Sequence, residues 1–174
     1  MTTMFTGTIA DLITSAYQLG PYTLPDGAVI SEYFDPYRLT GDPHRLRAVA
    51  GALAELLPEG AEAVAGPALA AAPLAAAVAL HTGLPVAYLR PEAKHHGTHR
   101  RIEGADVRGR RTVLLDDTAR TGTNLLRAST ALREAGAEVT AALCILDRAA
   151  GAAALLAEHG LSLSALLRDP GRTR

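Results

Sequence analysis

With 174 residues, 48% of them apolar and 20% charged, the chain is long enough to bury a core and matches the size of one domain. A formal charge of −1 excludes a global electrostatic pull towards nucleic acid or a membrane surface, and the single Cys144 excludes an intrachain disulfide. The N-terminus lacks a basic stretch followed by an apolar one, and no apolar run is long enough to cross a bilayer, so a soluble, cytoplasmic protein is expected.

In chain order, Ile9, Leu12, Ile13, Ala16 and Tyr17 fall at helical spacing and predict an amphipathic helix over 7–19, ended by Gly20-Pro21. The segment from Tyr22 to Asp35 holds short apolar pieces split by Pro25-Asp26-Gly27 and reads as a hairpin-like β region. Asp42-Pro43 supplies an N-cap and a first-turn proline for a helix through Leu57, with Leu46, Val49, Ala50, Leu53 and Leu56 on one face. Then β-α-β patterning begins: a strand Ala63-Val64-Ala65 running into Gly66-Pro67, an alanine-rich helix from Pro73 to His81 stopped by Gly83, and a strand from Pro85 to Leu89. Residues 90–111 are polar and basic without periodicity. A second β-α-β unit follows, with a strand over 112–115, a helix over 124–135 capped by Gly136, and a strand over 138–146 that makes Cys144 a buried thiol. A last helix runs from Ala149 to His159, Leu161 to Leu167 pack behind it, and the tail from Arg168 frays. Alternation of strands and helices predicts an α/β fold with a mostly parallel sheet flanked by helices, whose ligands bind at the carboxyl ends of the strands. Arg90, Asp116, Asp117 and Arg148 all fall at or just after predicted strand ends.

The central stretch is Val113-Leu-Leu-Asp-Asp-Thr-Ala-Arg-Thr-Gly-Thr-Asn124: an apolar strand, two adjacent carboxylates, a hydroxyl-rich loop and a helix start. Backbone amides at a helix N-terminus attract anions and glycine admits close backbone approach, while the carboxylates suit sugar hydroxyls or a hydrated metal ion. Together these predict a site for a phosphorylated sugar; a capped helix with a solvated acidic edge is the plainer reading. The G-x-x-x-x-G-K-[ST] nucleotide signature is absent. Residues 90–101 concentrate Arg90, Lys94, Arg100 and Arg101 with His95, His96 and His99, and Lys94 is the only lysine among 17 basic residues. A long cationic connection suits a lid over a polyphosphate leaving group, although a solvated basic loop has the same composition. Zinc held by the three histidines would lack a fourth ligand at tight spacing. Arg148 offers a two-pronged contact to a planar anion, or else pairs with Asp147 to tie the strand end to the helix.

Taken together, these motifs resemble the type I phosphoribosyltransferases, and among them orotate phosphoribosyltransferase. Arg90-x-x-x-Lys94-x-His96-Gly97, then Glu103-Gly104 and Gly109, is similar to that family's mobile catalytic loop; Ser31-x-Tyr33-Phe34-Asp35 resembles its substrate segment, and Ile145-Leu-Asp-Arg148 its C-terminal end. The resemblance implies one phosphoribosyltransferase-like domain over 1–174, with an N-terminal hood over about 1–40 and a flexible loop over about 90–111. It implies transfer of phosphoribosyl from phosphoribosyl pyrophosphate to orotate in pyrimidine biosynthesis. Lys94, Arg90 and His96 would act on the diphosphate. Asp116, Asp117, Thr118, Ala119, Arg120, Thr121, Gly122, Thr123 and Asn124 would bind the sugar phosphate, and Phe34, Arg120 and Arg148 the base. Mg²⁺ would arrive through the substrate diphosphate, with Asp116 or Asp117 as its protein contact, and a homodimer would share active sites through Lys94.

The sequence departs from the family pattern at ligand-facing places. Pro25 stands where a lysine is usual, Ala70-Ala71 where a Gly-Gly pair is usual, Pro91 where a second lysine is common, and Arg120 where the loop usually has threonine. These departures point to an intact fold with altered ligand contacts, and keep open two alternatives: a same-fold transferase for another acceptor, and a non-catalytic regulator that binds phosphoribosyl pyrophosphate or a nucleotide.

Overall fold

The computed structural model describes residues 7–23, 27–92 and 100–169. The chain opens on a short helix, α1 (Ile9–Thr14), started by a capping box in which Thr8 and Asp11 satisfy each other's backbone amides. The predicted helix was longer. Ser15 and Ala16 turn the chain instead, and Tyr17 begins strand β1 (Tyr17–Thr23), which pairs antiparallel with β2 (Val29–Phe34) from Tyr17↔Phe34 onward. Ala16 and Tyr17 had helical spacing because both pack on the core, but pairing with β2 claims their backbone. Gly20-Pro21 therefore lies within β1, at an irregularity between Leu19 and Tyr22. A single turn, α2 (Tyr37–Thr40), leads to α3 (Pro43–Ala54), whose first amides donate to Asp42. This helix stops short of Leu56, which is 38% exposed rather than buried on the apolar face.

Next come β3 (Ala63–Pro67), α4 (Ala71–Thr82), β4 (Val86–Leu89), β5 (Ile102–Gly104), β6 (Thr112–Ala119), α5 (Thr123–Glu134), β7 (Ala141–Asp147), α6 (Ala152–Glu158) and β8 (Ser162–Arg168). Strands β3 to β8 form a six-stranded sheet in the order β5-β4-β3-β6-β7-β8, parallel except for β5. The predicted parallel α/β sheet is present, with corrections at its edges. The stretch 90–111 contains β5, which folds back on β4 through Leu89↔Ile102. Leu161 to Leu167 supply most of an edge strand, β8, and the alternation Leu161-Ser-Leu-Ser carries the period of a strand. Strand β6 runs four residues past Leu115, so the two carboxylates lie inside it.

Alternate strand residues feed two apolar layers. Val64, Val113, Leu115, Leu143 and Ile145 pack with α1, α3 and α4, whereas Ala65, Leu114, Ala142 and Cys144 pack with α5 and α6. Burial first, then the nearby Asp116 charge, raises the Cys144 pKa, so the thiol is inert packing as expected. Among the described residues, no helix is long and apolar enough to cross a membrane.

Gly66 sets how closely α4 sits on the sheet. A Cβ there would lie 2.8 Å from both Ala71 O and Ala75 Cβ. Gly66→Ala is thus expected to destabilise by about 1–3 kcal/mol through overpacking, lowering Tm by several degrees in thermal unfolding. An unchanged Tm would show that α4 shifts without cost.

Candidate active site

The site follows from a split in the sheet. Strand β3 pairs with β6 only from Ala63↔Thr112 to Ala65↔Leu114, then continues beside β4 to Pro67↔Leu89. Meanwhile β6 continues beside β7 to Ala119↔Asp147. The two central strands part at their carboxyl ends, where chain order also reverses direction across the sheet, the place at which α/β folds bind ligands. Asp116 and Asp117 lie on the freed end of β6.

Three adjoining hollows meet there. The first, about 380 Å³, is floored by Ala68 to Ala71 and walled by Arg90, Arg101, Asp116, Asp117, Asn124 and Arg127. The second, about 110 Å³, is formed by Asp116 and the loop from Thr118 to Leu125 at the start of α5. No side chain caps that helix, leaving its first amides to face the hollow. The third, about 430 Å³, lies between β2 and the ends of β6 and β7, and is lined by Tyr33, Phe34, Asp117, Thr118, Arg120 and Arg148 among others. Asp116 borders the first two and Asp117 the first and third, so the acidic pair stands at their junction.

The pair is electrostatically crowded. Asp116 is 8% exposed, and its Oδ1 accepts from the Asp117 amide at 2.9 Å. Burial first, then hydrogen bonding and charge from Asp117, raise its pKa well above 3.8. Cations surround the junction: among the described residues, the side chains of Arg90, Arg120 and Arg127 form no hydrogen bond or ion pair with protein groups. Gly122 takes φ +82° at the loop's end, where a Cβ would come within 3.1 Å of Ala152. Its need is thus for a left-handed turn and for close packing on α6, as much as for any ligand.

Most of the sequence-predicted residues converge. Arg90, Asp116, Asp117 and Asn124 share the first hollow, the Thr118–Asn124 loop builds the second, and Phe34, Arg120 and Arg148 share the third. The Arg90 amide donates to Arg101 O at 2.9 Å, so the two ends of the predicted lid meet at the site. Lys94, His95, His96, His99 and Pro25 lie outside the described residues. The geometry answers two points that the sequence left open. Ala70 adopts ordinary right-handed helical angles (φ −65°, ψ −36°) ahead of α4, so replacement of a glycine there carries no backbone strain. The alternative reading of Arg148, a pair with Asp147, does not hold. Asp147 accepts from the Ala149 amide at 2.8 Å and lies 3.7 Å from Arg168, while Arg148 donates to the Tyr17 hydroxyl and lies 3.7 Å from Asp169. Sequence reading placed Arg101 among the cations of the lid, but missed Arg127, Tyr17 and Asp169. Arg127 was findable, because it follows Asn124 by three positions on one helical face; Tyr17 and Asp169, 152 residues apart, carried no local signal.

A metal would find few ligands from the protein alone. No group of three or more His, Cys, Asp or Glu is clustered for metal binding among the described residues. Two adjacent carboxylates suit Mg²⁺ that keeps most of its water and is shared with phosphate oxygens.

Comparison with known proteins agrees with this geometry. The family model described as "Phosphoribosyl transferase domain" matches residues 38–158. Orotate phosphoribosyltransferase from a Nocardioides species is 39% identical over 158 residues, covering 91% of this chain and 88% of that protein. The Halobacterium salinarum protein of the same name is 42% identical over 152 residues, covering 87% and 86%. The crystal structure of orotate phosphoribosyltransferase from Aeropyrum pernix superposes with a TM-score of 0.81 at 35% identity, covering 92% of this chain and 93% of that one. A matched family model over most of the chain, relatives near 40% identity and the three hollows around Asp116-Asp117 agree: the chain belongs to the phosphoribosyltransferase family, in its orotate phosphoribosyltransferase branch.

Proposed function

We propose that the protein transfers the phosphoribosyl group of 5-phospho-α-D-ribose 1-diphosphate to orotate, giving orotidine 5′-phosphate and pyrophosphate. The observation that carries this reading is the acidic pair at the junction of the three hollows, each of which suits one part of the donor–acceptor pair. The hollow at the start of α5 takes the 5-phosphate on backbone amides of Thr121 to Thr123 and on their hydroxyls. Asp116 and Asp117 accept hydrogen bonds from the ribose hydroxyls. The diphosphate lies in the first hollow, among Arg90, Arg101 and Arg127, with Lys94 and His96 from the lid. Phe34, Arg120 and Arg148 hold the base in the third.

In the transfer, the anomeric C–O bond to diphosphate breaks with its electron pair leaving on oxygen, and the base nitrogen's pair forms the new C–N bond. Positive charge grows on the ribose while negative charge grows on the leaving group. Carboxylates below the ribose and guanidinium groups around the diphosphate stabilise that separation without covalent chemistry. Mg²⁺ bound through the diphosphate, with Asp116 or Asp117 as its protein contact, would add cationic stabilisation of the leaving group. Lys94 acts across a homodimer in this reading, which makes each site a product of two chains.

Pyrophosphate release with orotate and phosphoribosyl pyrophosphate tests the reaction directly; tight binding of the sugar diphosphate without turnover would defeat it. A panel of other bases in the same assay tests the alternative of another acceptor, which the unpaired Arg120 favours. Lys94→Ala is expected to lower turnover by about 10²-fold or more with Tm unchanged, and mixing it with an Asp116–Asp117 double variant should restore part of the activity. A large Tm loss would make Lys94 structural, and failure to complement would place each site within one chain.

Asp116 gives a pH-dependent prediction. Folding raises its pKa, so the native state holds the proton more tightly than the unfolded chain. The group's stabilising contribution is therefore full below about 3.8 and is lost as pH rises through the folded value. At neutral pH, Asp116→Asn should raise Tm while lowering turnover, and the Tm gain should shrink towards pH 4. A Tm that falls at neutral pH would show that the charged carboxylate is well accommodated.

A further inference from the structure

Arg148 reaches the acceptor cavity from just past β7, and two side chains remote in sequence hold it there. Its Nη1 donates to the Tyr17 hydroxyl at 2.5 Å, and that hydroxyl donates to Asp169 Oδ2 at 2.5 Å. The same carboxylate oxygen lies 3.7 Å from Nη1, closing the group. The guanidinium carbon stands 5.7 Å from the Tyr17 ring centroid, and that ring packs on Phe34 at 5.4 Å. Neither Tyr17 nor Asp169 lines the cavity that Arg148 lines.

The geometry does three things for the guanidinium. It fixes one edge of the fork: only Nη1 is engaged, so Nε and Nη2 make no hydrogen bond to protein groups among the described residues and are left for a ligand. It orders a flexible stem before binding, so that the ordering does not subtract from acceptor affinity. It places a neutral phenol between the guanidinium and the carboxylate, so the cation is steered without a direct hydrogen bond to its counter-charge. Burial first, then the bond to Asp169, raise the Tyr17 pKa, so the phenol stays a donor at neutral pH. Tyr17 opens the same hairpin that contributes Tyr33 and Phe34; its ring, packed on Phe34 and the core, seats the hairpin, while its hydroxyl aims Arg148.

We propose that Tyr17 and Asp169 are positioning residues that preset the Arg148 guanidinium for an acceptor base bearing carbonyl or carboxylate oxygens, and so set acceptor affinity without touching the acceptor. This rests on the phosphoribosyl transfer described above.

Steady-state kinetics of the full chain, varying orotate and phosphoribosyl pyrophosphate separately, test it in Tyr17→Phe, Asp169→Asn, Arg148→Ala and the Tyr17→Phe/Arg148→Ala double variant. Tyr17→Phe keeps the ring and removes only the hydroxyl. Loss of a hydrogen bond to a charged group predicts a rise of about tenfold in the orotate KM, with the donor KM and Tm little changed. Asp169→Asn should move the same constant in the same direction. In the Arg148→Ala background the Tyr17→Phe effect should vanish, because the two act through one group. An unchanged orotate KM, an additive effect in the double variant, or a parallel rise of both KM values with a fall in Tm would overturn the assignment. An active wild type with such results would remove the assignment alone, whereas an inactive wild type would remove the reaction on which it rests.

Discussion

The structure depends on the parting of β3 from β6. Hydrogen bonding between them ends at Ala65 and Leu114, and each strand then follows its outer neighbour. That divergence leaves the end of β6 without a partner on one side, which opens a cleft in the middle of the sheet instead of at its rim. A buried strand end with an open flank can carry carboxylates that a fully paired strand would exclude. Asp116 and Asp117 occupy that flank, and every other part of the site is placed relative to them.

Electrostatics explains why the arrangement is useful and why it is uncomfortable. Two adjacent carboxylates, one of them nearly buried, repel each other and favour protonation of Asp116. Guanidinium groups from separate segments approach from above, but none forms an ion pair with the acids: Arg90, Arg120 and Arg127 stand ready for an anion rather than for Asp116 or Asp117. The arrangement keeps the acids and the guanidinium groups apart, and the proposed donor, which carries both hydroxyls and phosphates, would satisfy both sets at once. Stability lost at Asp116 is offset by the two apolar layers that clamp β6 on its faces.

The hairpin of β1 and β2 is the second organising element, since β2 walls the third hollow. Directional contacts tie it to the sheet through Tyr17, which reaches Arg148 and Asp169, while Gln18 to Asp35 at 2.7 Å closes the hairpin on itself. Phe34 adds an apolar contact at its base by joining the core cluster. Its base is therefore anchored both in the core and by directed hydrogen bonds.

Much was legible in the residues themselves. Apolar periodicity, Asp42-Pro43, Gly83 and Gly136 marked the helices, and the run ending in Asp-Asp followed by a hydroxyl-rich loop marked the site, because these signals are local and act within a few residues. Strand β8 was legible too, in its alternation, but went unrecognised beside a helical neighbour. Other features were decided only in three dimensions. Tyr17 satisfies a helical pattern and a strand equally, and pairing with Phe34 across the hairpin chose the strand. Asp147 and Arg148 are adjacent in sequence yet serve different partners, because successive residues at a strand end point to opposite sides. The sequence by itself determined the α/β class and the acidic centre; the hold of Tyr17 and Asp169 on Arg148, joining residues up to 152 positions apart, arises from long-range packing, which no local pattern encodes.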